Sequence, residues 1–110
     1  MKNIARIIRG DIFISEDTLL SGIVNGSITV AENTIFNLSG ILNGRLFLKE
    51  KATVYLSGMV SGDIVNNGGY LEISGTINGN IIRQQGQIIV KPEAIINESR
   101  TKFNNFFPLR

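Results

Sequence analysis

The chain has 110 residues, a net charge of +2, no histidine, cysteine or tryptophan, and 12 glycines against only 2 prolines. One domain is expected at this length. The composition excludes a disulfide framework, thiolate chemistry, imidazole acid–base work and the usual metal sites, and so small a charge argues against a nucleic-acid partner.

Charge is unevenly spread. Residues 1–9 carry Lys2, Arg6 and Arg9 with no acid, and residues 99–110 carry Arg100, Lys102 and Arg110 with no acid. Residues 10–98 hold five bases against nine acids. The ends are basic and the body is acidic. No secretory leader pattern is present, and no apolar run approaches the roughly 18 residues of a membrane-spanning helix. The expected location is the cytoplasm, with the inner face of the membrane as a secondary site.

Along the chain, Ile4, Ile7 and Ile8 stand at helical spacing with Lys2, Arg6 and Arg9 pointing elsewhere. The segment 1–9 therefore reads as a short amphipathic helix or an irregular lead-in. A single turn is not stable alone. It is expected to cover the end of the domain, with weak membrane anchoring as the lesser role.

A repetitive body follows over residues 10–98. Ser21-Gly22-Ile23-Val24-Asn25-Gly26 is answered by Ser39-Gly40-Ile41-Leu42-Asn43-Gly44, by Ser57-Gly58-Met59-Val60-Ser61-Gly62 and by Ser74-Gly75-Thr76-Ile77-Asn78-Gly79. The leading glycines are 18, 18 and 17 residues apart, and a near-fixed period of this kind marks a stacked-repeat architecture. After the second glycine comes Gly-x-aliphatic-x-aliphatic, as in Gly26-Ser27-Ile28-Thr29-Val30 and Gly44-Arg45-Leu46-Phe47-Leu48, which is strand patterning of period two. Stacked column by column, Phe36, Val54, Leu71 and Ile88 align, as do Leu38, Leu56, Ile73 and Val90. Two more apolar columns are Val24, Leu42, Val60, Ile77 and Ile28, Leu46, Ile64, Ile81. The expected fold is all-β: a single-stranded parallel β-solenoid of about five coils of 16–18 residues, three short strands to a coil. Asn25, Asn43, Ser61 and Asn78 share a bend column that suits a stacked Asn ladder.

Towards the C-terminal end the pattern changes. Asn66 and Arg83 take the column of Val30 and Leu48, so one corner is expected to open or shift there, with Gly68-Gly69 absorbing a lost residue. Lys91-Pro92-Glu93-Ala94-Ile95-Ile96-Asn97 echoes Lys49-Glu50-Lys51-Ala52-Thr53-Val54-Tyr55 and predicts one more half-coil. Residues 99–110 contain Phe103, Phe106 and Phe107, half of the chain's 6 phenylalanines. Because the last coil of a solenoid exposes strand edges and a slice of core, this segment is expected to cap that end or to be a contact.

The inventory for chemistry is thin. Carboxylate pairs remain, but Glu16, Asp17, Glu32, Glu50 and Glu72 read as a solvated acidic face, and no phosphate loop or dinucleotide fingerprint occurs. Val24, Val30, Phe36, Leu42, Leu48, Val54 and Val60 recur every six residues, as in hexapeptide acyltransferases. Those enzymes use a histidine base, which this chain lacks. No enzymatic activity and no cofactor are expected.

In Ser39-Gly40-Ile41-Leu42-Asn43-Gly44-Arg45-Leu46, and in the Lys-x-x-Ala bends at Lys49–Ala52 and Lys91–Ala94, the chain resembles the bactofilin family of bacterial polymer-forming cytoskeletal proteins. The resemblance covers roughly Gly10 to Asn97. It implies a compact, right-handed, triangular β-helix that joins end to end into nucleotide-free filaments, often at the membrane through a short N-terminal segment. The expected function is a non-enzymatic scaffold whose partner is itself, with Ile4, Ile7 and Ile8 as the N-terminal contact and Phe103, Phe106 and Phe107 as the C-terminal one. The outward positions also include apolar residues, Ile35, Phe47, Tyr55, Tyr70 and Ile89. A second reading is therefore a monomeric protein-binding module, such as an immunity protein that blocks a toxin, presenting Phe47, Val65 and Ile82 beside Thr29.

Overall fold

The computed structural model describes residues 2–97. They form an all-β parallel solenoid of about five turns, with no helix among them. The first coil comprises β1 (Lys2–Ile4), β2 (Ile7–Arg9) and β3 (Ile12–Ile14), and the second β4 (Thr18–Leu20), β5 (Ile23–Asn25) and β6 (Ile28–Val30). The third comprises β7 (Ile35–Leu38), β8 (Ile41–Asn43) and β9 (Leu46–Leu48). Then come β10 (Thr53–Leu56), β11 (Met59–Ser61), β12 (Ile64–Ile73), β13 (Thr76–Asn78), β14 (Ile81–Val90) and β15 (Ile95–Asn97).

Three faces result. The first is a sheet in the order β15-β13-β11-β8-β5-β2. The second runs β3-β6-β9 into the first half of β12, and the third runs β1-β4-β7-β10 into its second half, with β14 stacked along β12 on both. Every pairing between coils is parallel, so each strand hydrogen-bonds to its counterpart one coil away.

The predicted columns are the observed registers. Phe36 pairs with Val54, Val54 with Leu71 and Leu71 with Ile88. Val24, Leu42, Val60 and Ile77 stack likewise, extended by Ile8 below and Ile96 above. These side chains fill the interior. Phe36, Leu38, Leu42, Leu46, Val54, Val60, Ile64, Leu71 and Ile77 are fully buried. Each fully buried aliphatic removes surface worth about 1.5–3 kcal/mol, and the centre of the rod therefore carries most of the stability.

Residues 2–9 differ from expectation. They are not a helix laid over the end; they are β1 and β2 of the first coil, with Lys2, Asn3 and Ile4 paired to Thr18, Leu19 and Leu20, and Ile7, Ile8 and Arg9 to Ile23, Val24 and Asn25. The physical reason is that a strand–bend–strand path puts Ile4 and Ile8 inward on adjacent faces, while β-branched isoleucine favours the extended backbone. Over nine residues this spacing imitates a helical stripe.

The glycines of the repeat are a steric requirement. A Cβ built on Gly40 meets the carbonyl oxygen of Gly22, one on Gly58 meets that of Gly40, and one on Gly75 meets that of Gly58, all well inside van der Waals contact. The glycine after the Asn column behaves in the same way: Gly44 lies against Gly26, Gly62 against Gly44 and Gly79 against Gly62. At both bends the missing side chain would point along the rod into the previous coil. Serine contributes less: the Oγ atoms of Ser39, Ser57 and Ser74 donate to carbonyls one coil away at only 3.4, 3.5 and 3.4 Å.

Aspartates tie other bends together. The Oδ1 atoms of Asp11, Asp17 and Asp63 accept from the backbone N–H of Ser27 (2.9 Å), Ile35 (2.9 Å) and Asn80 (3.1 Å), each in the next coil. Asp17 is thus a structural acceptor as well as part of an acidic face.

The corner between the second and third faces is sharp in the lower coils, where Asn33 and Lys51 adopt φ of 57° and 62°. Above them it is a bend within a strand, with Gly68 and Gly86 at φ of 109° and 94°. β12 and β14 run through it as ten-residue strands, with register shifts around Asn67. This is the shift announced by Asn66 in the column of Leu48. Asn66 is fully buried, and its amide braces the bend. Its Nδ2 donates to the carbonyls of Gly69 (3.1 Å) and Gln87 (3.0 Å), and its Oδ1 accepts from the Gly69 N–H (2.8 Å).

The extra half-coil is present but sits elsewhere than the echo indicates. Ile95, Ile96 and Asn97 pair with Thr76, Ile77 and Asn78 on the first face, not with the column of Thr53, Val54 and Tyr55 on the third. Lys49–Ala52 and Lys91–Ala94 are both four-residue turns, closed by Ala52 N–H to Lys49 O (3.1 Å) and Ala94 N–H to Lys91 O (3.0 Å). Lys51 has φ of 62° where Glu93 does not adopt positive φ, and the two turns stand at different corners.

Candidate functional site: an open end and two apolar strips

At the N-terminal end, β1, β2 and β3 each pair on one side alone among the described residues. Their inward residues form the mouth of a recess of about 240 Å³ lined by Ile4, Ile8, Ile12 and Ile14, with Lys2 and Arg6 at its rim. Ile4 and Ile14 are buried, whereas Ile8 and Ile12 are half-buried. Ile4, Ile7 and Ile8 thus divide: two point into the end of the core, and Ile7, 57 % exposed, points out sideways. At the other end β14 and β15 are the rim strands, and Ile88 and Ile96 are only partly buried. Phe103, Phe106 and Phe107 lie outside the described residues.

The second face brings Phe47, Val65 and Ile82 together as expected. Phe47 pairs with Val65 and Val65 with Ile82, and the column continues through Thr29 to Phe13. Phe13 and Ile82 are exposed at the two ends of the strip, while Phe47 and Val65 are half-buried. Beside it lies an open recess of about 330 Å³ between Phe47, Lys49, Val65, Asn67 and Gln84. No family model, no curated protein and no solved structure matches the chain. The surfaces must therefore be read from their own chemistry.

A longer strip, not anticipated among the site residues, runs the whole length of the first face. Ile7, Ile23, Ile41, Met59, Thr76 and Ile95 stack in register, one from each strand. All point outward, and Ile7, Ile41, Met59 and Ile95 are exposed. The signal is in the sequence, because this is the x of Ser-Gly-x-aliphatic-Asn-Gly.

Beside it stands the Asn column. Asn43 Nδ2 donates to Asn25 Oδ1 and Asn97 Nδ2 to Asn78 Oδ1, each at 2.8 Å. Ser61 interrupts the ladder between Asn43 and Asn78. Ser61→Asn is expected to join the two pairs and raise stability by up to about 1 kcal/mol, one net hydrogen bond, read as a higher thermal midpoint.

The third face is more polar. Tyr70 donates to Glu72 Oε1 at 3.0 Å, Lys91 Nζ lies 3.5 Å from Glu72, and Tyr55 meets Tyr70 edge-on with centroids 6.3 Å apart. The hydrogen bond to Glu72, more than desolvation, raises the Tyr70 hydroxyl above the usual tyrosine range. Among the described residues no three carboxylates gather as metal ligands would. The surfaces offer shape and apolar area more than reactive groups.

Proposed function

We propose that the protein is a non-enzymatic structural scaffold, similar in kind to the bactofilins, which self-associates through the ends of its solenoid. The observation that carries this reading is the open first coil, whose strand edges and half-buried Ile8 and Ile12 face outward along the rod. An edge of this kind is a template for another strand. A second solenoid continuing the stack would satisfy its backbone groups and close the recess in one step. Head-to-tail contacts do not close on themselves and give filaments, whereas two-fold contacts between like ends give dimers. On this reading Phe103, Phe106 and Phe107 supply apolar contact from the C-terminal side. Membrane recruitment through the N-terminal segment has weaker support, since Ile4 and Ile8 belong to the core and leave Ile7 with the basic side chains.

The test is assembly of the full chain followed by light scattering and electron microscopy. Ile12→Lys places an ammonium at the mouth of the end recess, and the polar triple substitution of Phe103, Phe106 and Phe107 removes the other contact. Each is expected to abolish large assemblies while the β-sheet circular dichroism is kept. Unchanged assembly in both would defeat the proposal.

The strip of Phe13, Phe47, Val65 and Ile82 supports a second reading, a monomeric protein-binding module of the immunity-protein kind. A wild-type protein that stays monomeric at all concentrations, and loses a protein partner on Phe47→Glu, would establish it instead.

A further inference from the structure

The first face carries two outward columns and nothing else: an apolar one from Ile7 to Ile95 and a polar one from Arg9 through the asparagines to Asn97. Its strands show one buried position between two outward ones, so the face is a regular ribbon of six strands whose apolar side is interrupted only at Thr76. Exposed apolar surface of this extent and continuity marks a contact site. What covers it can be read from its symmetry.

We infer that the first face pairs with the first face of a second copy of this chain, the two rods antiparallel, about a two-fold axis that runs along the strand direction between β8 and β11. That operation inverts the order of the coils but keeps each column on its own side. Apolar residues then meet apolar residues and asparagines meet asparagines. Ile41 lies over Met59 of the second copy at the centre, Ile23 over Thr76, and Ile7 over Ile95. Such a contact is isologous and closes at two copies, with aligned sheets about 10 Å apart.

Charge is complementary across this arrangement, and the columns match in no other. Arg6 stands one residue before Ile7 at one end of the face, and Glu93 two residues before Ile95 at the other, both exposed. Arg45 follows the Asn column on the β8 side of the centre, and Asp63 follows it on the β11 side. The two-fold brings Arg6 beside Glu93, one residue out of register, and sets Arg45 opposite Asp63, twice each. A parallel pairing of the same faces, about an axis along the rod, would reverse the strands and set the apolar column of each copy against the asparagine column of the other. Exposed pairs of this kind add little affinity; they favour this register, and the match of column to column decides the orientation. The ribbon is about 24 Å long, so the pair buries on the order of 1,000 Å², the lower bound of specific interfaces. The dimer is accordingly weak.

The inference does not depend on contact at the ends, and its test separates the two. The chain has no cysteine, so single cysteines report cleanly. Ile23→Cys and Thr76→Cys are placed three strands apart on one face, a separation that neither end stacking nor parallel pairing removes. Mixed with a short bis-maleimide, the two variants together are expected to give a cross-linked dimer, and either alone is expected to give little. Adding Met59→Glu, at an exposed position, to both is expected to abolish the product with the circular dichroism unchanged. In the Ile12→Lys background, sedimentation at high concentration is expected to show twice the 12.1 kDa chain mass. Equal cross-linking in the single-variant samples, a product indifferent to Met59→Glu, or a strictly monomeric mass would each overturn the pairing, the last leaving the face to a different protein.

Discussion

Gly58→Ala is expected to cost about 3 kcal/mol or more, at the top of the range for overpacked sites, and to leave much of the protein insoluble. The new methyl would lie well inside van der Waals contact of the Gly40 carbonyl oxygen. That oxygen also accepts the Met59 N–H at 3.0 Å, part of the ladder between the third and fourth coils. Neither partner can give way, because Gly40 is itself held over Gly22 by the same stacking. Ser57→Ala, one residue earlier, is the control. It removes a 3.5 Å contact to Leu38 O, near the limit of a hydrogen bond, and is expected to change stability by less than about 0.5 kcal/mol. Chemical denaturation of the two variants checks the contrast. Similar costs for both would mean that the serine, not the glycine, holds the bend.

Asn66→Leu is expected to destabilise by about 2–4 kcal/mol although it makes the column more apolar. It strands the Gly69 N–H and carbonyl in the interior and removes the part-buried bond to the Gln87 carbonyl at the rim. Each orphaned group costs about 1–3 kcal/mol, and the added apolar burial returns only about 2 kcal/mol. Asn66→Asp refines the test through pH. The carboxylate would keep the Gly69 N–H but face two carbonyl oxygens in a buried site, which raises its folded pKa above the unfolded value of about 3.9. The native state then binds the proton more tightly than the unfolded chain. Relative to wild type, the variant is expected to be most stable below pH ~3.9 and to lose stability as pH rises towards its folded pKa. A stability difference independent of pH would show that the site is open to water.

Most of the fold was legible because the core of a solenoid is written as columns. Phe36, Val54, Leu71 and Ile88 can be aligned by eye, and period-two alternation tells which residues face in. Three features were harder to read, for separate physical reasons. The first coil is disguised because Ala5-Arg6 stands where later coils have Ser-Gly, and because inward isoleucines on two adjoining faces imitate a helical stripe. The Lys91–Ala94 turn was legible as a turn but not as a corner: a local hydrogen bond between residues three apart carries no information about which face comes next. The apolar strip of Ile23, Ile41 and Met59 lies inside the repeat motif itself. Reading that motif for its glycines and asparagines hides the residue between them, whose significance appears only when six strands place it in one line.

The uniform stacking has a kinetic and evolutionary consequence. Each strand pairs with one about a single coil away, 16 to 19 residues along the chain, so adding any coil closes a loop of nearly the same length. Loop-closure entropy varies only slowly with length, and the reward is a nearest-neighbour interface. The chain behaves as a one-dimensional array that can zip outwards from its buried centre, where Phe36, Leu42 and Val60 sit, and whose end coils open first. Length then becomes an adjustable quantity: duplication or loss of one 18-residue coil, such as Gly40 to Ser57, changes the reach of the rod without disturbing the chemistry of either end.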